Sequence, residues 1–237
     1  MVDPNPNPGD DIEAVFKLDE SKRLRYLEDL IQTRKSDLDY FKQVYAHATF
    51  WLNTTPIVEF PRSDSCSFFY LLGLSLGKLI HKPDPVILAR GGVQLMEEIE
   101  FHFSTHLLHL LTSTQKTNVL YPTTSALDCL PLNEPFKPTI YKFYHDGQPV
   151  YQVLLIPPTV GIEMDYARVV YSVCEMLRHF YTKLYDVSLV QNPHVFQTML
   201  QFDKKIQARV IQVFTKELTS LAQAQVSSEI RSLSLNP

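Results

Sequence analysis

The sequence predicts a mainly helical α+β fold, a bundle of about five helices with an inserted β-hairpin or small antiparallel sheet. Long stretches repeat apolar residues every three or four positions, as helices with one buried face do. One internal stretch is rich in β-branched and aromatic residues on both sides of an Asp-Gly pair. Apolar residues make up 45% of the 237, enough for a packed core. We expect one domain over 12–226, between a disordered Asn-Pro-rich tail at 1–11 and a flexible tail at 227–237.

The first predicted helix, at about 19–52, shows the clearest pattern. Its apolar residues follow 3-4 spacing over about four heptads, and Arg34 is the one polar exception. We expect one helix, or two helices separated near Ser36. The seam predicts packing within the chain's own bundle or, alternatively, a coiled coil with a second chain. Its candidate interaction residues are Leu24, Leu27, Ile31, Leu38 and Phe41.

Four further helices are predicted from their apolar faces and end signals. They cover about 65–81, 86–111, 161–186 and 193–225. Gly91 and Gly92 weaken the first turns of the second of these and are a place where it can break. The last helix opens on Asn192 as its N-cap, with Pro193 at the first helical position.

A β-hairpin is predicted at 139–156. The pair Asp146 and Gly147 suits a tight turn between its strands, and Pro149 suits the first residue of an edge strand. Aromatic side chains on the hairpin either line the core or form a protein-binding surface, because tyrosine is enriched at interfaces. The candidate interaction residues there are Tyr141, Phe143 and Tyr151.

A histidine cluster on helix 86–111 is the best candidate metal site. His102 and His106 are four positions apart, which places both imidazoles on one side of a helix, and Glu98 and His109 fall along the same edge. The pattern is not HExxH, because Phe103 follows His102 where a catalytic Glu would stand. We therefore expect ordinary hydrogen bonding from these side chains. A metal-dependent enzyme or metal-binding protein is kept as an alternative.

The remaining patterns argue against catalytic and cofactor chemistry. Cys66, Cys129 and Cys174 are expected to be reduced, buried thiols, since no spacing suggests a disulfide framework or a zinc ribbon. Cys66 precedes a helix whose dipole would lower its pKa, so a reactive thiol is the alternative there. Gly73 and Gly77 are too close together for a P-loop, and the sequence contains neither GxSxG nor GxGxxG. No cofactor is expected.

Charge and hydropathy restrict the partners and the compartment. The net charge of −4 disfavours a nucleic-acid binder, which needs a basic surface. The longest apolar run, Phe68–Ile80, has about 13 residues, whereas a membrane-spanning helix needs about 20. The acidic, proline-rich start does not look like a signal peptide. We expect the cytoplasm, with the nucleus as a second compartment, and no integral membrane association.

These observations favour a non-enzymatic cytosolic interaction protein, a subunit or adaptor of a larger assembly. It would bind protein partners, or a second copy of itself, through its long amphipathic helices and the aromatic hairpin. The alternatives are the metal site above and a protein that binds an apolar ligand or a membrane surface through the Phe68–Ile80 helix.

Overall fold

The computed structural model describes residues 18–60, 65–108, 132–142, 149–157 and 164–234, and it confirms the mainly helical class. Its helices are α1 (Glu20–Tyr45), α2 (Cys66–Leu79), α3 (Pro85–Leu108), α4 (Tyr166–Lys183), α5 (Ser188–Gln191), α6 (Pro193–Ile206) and α7 (Gln212–Ser234). A π-helical turn, Gln207–Ile211, joins α6 to α7, and two short strands are β1 (Tyr141–Lys142) and β2 (Pro149–Val150). The predicted tail at 1–11 lies outside the described residues.

Helix α1 is one unbroken helix, but it ends before the predicted position 52. Asp19 caps its start, because the Asp19 carboxylate accepts a hydrogen bond from the Lys22 amide at 2.8 Å. After Tyr45 the chain turns back through residues with positive φ, and the Trp51 ring stacks on Tyr40 with ring centroids 5.6 Å apart. The heptad pattern could not show this contact between the turn and the preceding helix, so it placed the end of the helix too late.

Helices α2 and α3 form close to their predicted positions, and the glycine pair does not break α3. A Cβ atom on Gly91 would lie 2.7 Å from Leu79 Cδ1, and one on Gly92 would lie 2.7 Å from Phe202 Cδ2. The two glycines therefore allow α2 and α6 to approach α3. The predicted end of this helix at 111 lies outside the described residues.

The predicted hairpin is much shorter than 139–156. Tyr141 pairs with Val150 and Lys142 with Pro149, antiparallel, and Pro149 opens its strand as expected. The turn at 143–148 lies outside the described residues. The prediction of a strand continuing to 156 is wrong, because the amides of residues 152–154 all point to one carboxylate on α3, which a strand with alternating amides does not allow.

The predicted start at 193 is confirmed, whereas α4 begins at Tyr166 and not at the predicted 161, because Asp165, the cap residue, is extended. Asp165 caps α4 by accepting from the Arg168 amide at 3.2 Å, and Asn192 caps α6 by accepting from the His194 amide at 2.8 Å. Of the predicted start of α4, residues 161–163 are outside the described part. The prediction of one continuous helix over 193–225 is wrong, because the π-helical turn interrupts it. The prediction of a flexible tail from 227 is also wrong over 227–234, since α7 continues to Ser234.

The core lies where these helices meet. α1 and α2 both pack on α4, while α3 packs on α2 and α6. The largest fully buried side chains include Phe69, Phe180, Phe196, Phe202 and Phe214. Among the described helices, none combines the length and the apolar character that crossing a bilayer requires.

Candidate interaction site

The heptad seam of α1 is buried inside the chain's own bundle. Leu27, Ile31, Leu38 and Phe41 are buried, and Leu24 is partly buried against the same core. Contacts with this chain's other helices account for the 3-4 pattern without a coiled-coil partner. A role for these five residues in binding another protein stays a prediction.

Arg34, the polar exception in the seam, is paired inside the bundle. Its guanidinium donates two hydrogen bonds to the Asp203 carboxylate, at 2.8 and 2.9 Å, and the Tyr181 hydroxyl donates to the same carboxylate at 2.7 Å. Burial would lower the pKa of Arg34, but the Asp203 hydrogen bond and charge raise it, so the guanidinium stays charged. Burial raises the pKa of Tyr181, which keeps its hydroxyl a donor. The three side chains fasten α1, α4 and α6 together.

The structure gives the only carboxylate of the candidate metal site another role. Glu98 is fully buried, and its two oxygens accept hydrogen bonds from the Gln94 side chain and from the amides of 152–154 at 2.7 to 2.9 Å. Nδ1 of His102 lies 3.3 Å from the Tyr151 hydroxyl. His106 lies within α3, and His109 lies outside the described residues.

In the described part of the chain, no group of three or more His, Cys, Asp or Glu side chains could hold a metal ion. The metal hypothesis for Glu98, His102, His106 and His109 stays a prediction.

Cysteine chemistry is disfavoured at both described thiols. Cys174 is fully buried as expected, and burial raises the pKa of its thiol. The hypothesis that the helix dipole lowers the Cys66 pKa is wrong in direction. Burial raises the pKa of this thiol and the Asp165 charge raises it further. Cys129 lies outside the described residues.

The aromatic hairpin surface is described only in part. Tyr151 is half-buried beside His102, with ring centroids 5.8 Å apart. Tyr141 lies in β1, and Phe143 lies outside the described residues. Binding through these three side chains stays a prediction.

A groove of about 550 Å³ runs between α2 and α4, and no pattern in the sequence predicted it. Gly73 brings the two helices close together there, since a Cβ atom on it would lie 3.7 Å from Val173 Cγ2. Asp165 and Arg168 supply charge on its lining. The apolar lining comes from Phe69, Tyr70, Leu74, Val169 and Met176, together with Met164. The groove joins residues about a hundred positions apart, so no local pattern in the sequence could reveal it.

The second surface is an apolar row on the outer part of α7, which we call the α7 stripe: Val226, Ile230 and Leu233. These side chains are 42%, 58% and 77% exposed, respectively. Around an α-helix, Leu233, Val226 and Ile230 lie about 20°, 40° and 80°, respectively, from Ala222, which is buried. The stripe therefore begins at the edge of the face by which α7 packs on the core and turns from there towards solvent. A signal for it was visible in the sequence, because the apolar spacing continues past 225 into the region predicted to be a flexible tail.

Comparisons with known proteins do not assign a function to the chain, so the surfaces described above are the basis for inferring one. No family model, curated protein or solved structure that was compared with the chain matches it.

Proposed function

We propose that this protein is a non-enzymatic subunit or adaptor that binds a helix of another protein molecule through the α7 stripe. The observation that carries the proposal is the exposure of Val226, Ile230 and Leu233 along one side of α7, at the edge of the face that is buried earlier in the same helix. These apolar side chains have the spacing by which helices pack on one another. A partner helix would bury them.

The surroundings of the stripe suit a protein partner. Most of its neighbours on the outer part of α7 are uncharged Gln and Ser side chains, and Glu229 and Arg231 are the charged residues there. The chain as a whole carries a net charge of −4, which disfavours the phosphate backbone of a nucleic acid as partner. The expected compartments, cytoplasm and nucleus, are part of this proposal.

The stripe alone is too small for a stable complex. Burying a Val, Ile or Leu side chain completely contributes roughly 1.5–3 kcal/mol, and these three are already partly covered. Association costs at least about 4 kcal/mol in lost translational and rotational freedom. The stripe is therefore expected to act together with a second contact on this chain or on the partner.

Affinity capture from the source cells, with mild crosslinking and mass spectrometry, tests the proposal. Val226→Glu places a charge in the stripe, and Ser228→Glu places the same charge on the opposite side of the helix as a matched control. We expect a protein crosslinked to α7 in stoichiometric amount with the unaltered chain and the control, and at least tenfold less with Val226→Glu. Equal recovery with Val226→Glu would contradict the proposal, as would the absence of any stoichiometric crosslink to α7.

A further inference from the structure

We infer that the α7 stripe of one chain docks in the α2–α4 groove of a second copy of the same chain. This inference rests on the proposed function, since it names the molecule that the stripe contacts. Among the described residues, none covers the stripe or the groove. Leu233 of the stripe is 77% exposed, and Tyr70 and Leu74 beside the groove are 37% and 38% exposed.

The groove has the form that accepts an apolar helix. At about 1.5 Å per residue, its α4 side from Asp165 to Met176 spans about 16 Å, or three helical turns. Tyr70 and Leu74 stand about one helical turn apart on α2 and both line the groove, so an incoming apolar side chain can pack between them. Such grooves bind helices through anchor residues at i, i+4 and i+7.

The α7 stripe has this spacing. Val226, Ile230 and Leu233 stand at i, i+4 and i+7, and they span about 10 Å of helix, which is shorter than the groove. Their branched aliphatic side chains match an apolar lining that includes Phe69, Val173 and two methionines. Methionine adapts its shape to such anchors.

Charge also fits the second copy. Glu229 lies about 40° from Leu233 around α7, on the side of the stripe nearer the buried face, so it borders the stripe, whereas Arg231 lies on the opposite side. Arg168 is the cation on the groove lining, and its side chain is highly exposed while it pairs with Asp165 at 3.3 Å. Docking of the stripe brings a carboxylate on the edge of the helix to a groove that carries an exposed guanidinium.

The contact joins two different surfaces, so it is heterologous. A heterologous contact adds copies head to tail, as an open chain or a closed ring, and it is not limited to a dimer. Each junction buries the stripe of one copy together with the apolar groove lining of the next, and that lining supplies the additional apolar area that the stripe alone lacks.

Sedimentation velocity of the purified protein across a hundredfold range of concentration tests this inference. We expect association that increases with concentration, and that becomes at least tenfold weaker in both Val226→Glu and Leu74→Glu. The control substitutions Ser228→Glu and Val187→Glu add the same charge at exposed positions outside both surfaces and should leave association unchanged. Circular dichroism confirms that each variant is folded.

Mixing the two disabled variants gives the sharpest result. Val226→Glu retains an intact groove and Leu74→Glu retains an intact stripe, so together they should form a 1:1 complex that grows no further. Arg168→Glu and Glu229→Arg should each weaken association about two- to fivefold, and the two combined should restore it.

Any of three outcomes would overturn the inference. They are an unaltered protein that remains a monomer at every concentration, a Leu74→Glu variant that associates like the unaltered chain, and a mixture of the two disabled variants that forms no complex. In each case, loss of cellular capture by Val226→Glu would still uphold the proposed function with a different partner. If Val226→Glu alters neither measurement, the proposed function itself fails.

Discussion

The buried carboxylate of Glu98 organises the segment that follows β2. Three consecutive backbone amides, those of 152–154, donate to it, and the next amide, that of Leu155, donates to the Ser75 hydroxyl at 2.9 Å. Helical spacing places Glu98 near the histidines and so makes it a candidate metal ligand. Apart from Gln94, its partners are backbone amides more than fifty residues away, and no periodic pattern encodes them.

Replacing Glu98 by Gln tests this role. One end of the new side chain becomes an NH₂ group that cannot accept from the backbone, so at least one buried amide loses its acceptor. We expect a loss of about 2–5 kcal/mol in the free energy of unfolding, with faster hydrogen exchange at 152–154. Glu97→Gln on the same helix, where the side chain is 40% exposed, is the matched control. Equal stability of the two variants in urea titrations would show that Glu98 does not hold the segment.

Glu100 makes the link between α3 and the C-terminal helices dependent on pH. Burial raises the pKa of Glu100, but hydrogen bonds from Lys205 and Arg209, at 2.9 Å each, lower it below its usual 4.5. Since the folded-state pKa is the lower one, the stabilisation is present above about pH 4.5 and is lost as the pH falls through the folded-state value.

Urea titrations of the unaltered protein and of Glu100→Gln measure this dependence. We expect the variant to be less stable by about 1 kcal/mol at pH 7, because the ion pairs are partly exposed. The difference should shrink as the pH falls below 4.5 and through the lowered folded-state pKa of Glu100. A difference that grows on acidification would contradict the assignment.

At the scale of elements, the positions of most helices follow from apolar periodicity, and their ends and contacts do not. The Asn192 cap and the single helix at 193 onward were predictable because cap residues act locally. The end of α1 was not, since it depends on Trp51 stacking on rings of the preceding helix. From the sequence, the glycines of α3 suggest a break in the helix. The structure shows that they make room for Leu79 and Phe202, which pack against α3 at these positions.

Two alanine substitutions separate these roles of glycine. Gly92→Ala places a methyl group 2.7 Å from Phe202 and 3.1 Å from Phe180, and we expect it to destabilise the protein by about 1–3 kcal/mol. Gly77→Ala meets only Met176 at 3.9 Å, so its better helix propensity should stabilise by up to about 1 kcal/mol. Thermal unfolding compares them. A neutral Gly92→Ala would mean that α3 and α6 are not in close contact.

The π-helical turn corrects the register of the last helix. Buried residues recur every four positions, at Phe202, Ile206, Val210, Phe214, Leu218 and Ala222. In an uninterrupted α-helix this row would rotate by about 40° at each step and leave the core. The wider turn at 207–211 takes up one extra residue, and it leaves Gln207, Ala208 and Arg209 exposed in succession.

Deleting Ala208 should therefore convert the turn to α-helix without moving the faces of α7. We expect the melting temperature to change by only a few degrees. Deleting the exposed Thr215 instead rotates Leu218 out of the core and should cost about 2 kcal/mol or more. Circular dichroism melts compare the two deletions. Equal losses in both would show that the π-helical turn has no part in register.

At the scale of the whole molecule, the α2–α4 groove and the α7 stripe are apolar surfaces that the described part of the chain leaves uncovered. The leading hypothesis from sequence, an interaction protein built on amphipathic helices, is retained here with a different surface. The α1 seam is filled by the chain itself. The sequence does not predict the stripe, because Val226 lies just past the predicted end of the last helix and Ile230 and Leu233 lie in the predicted flexible tail. The groove arises only when α2 and α4 come together.

Site-specific photo-crosslinking in cells tests the central claim most directly. A benzophenone amino acid replaces Leu233 in one sample and Ser228 in the other, so that the same probe reports from the stripe and from the opposite face. We predict a discrete crosslinked protein from position 233, and a crosslink to α2 or α4 of a second copy if self-association holds. Position 228 should give none. Equal crosslinking from both positions, or none from position 233, would contradict the claim that the α7 stripe is an interface.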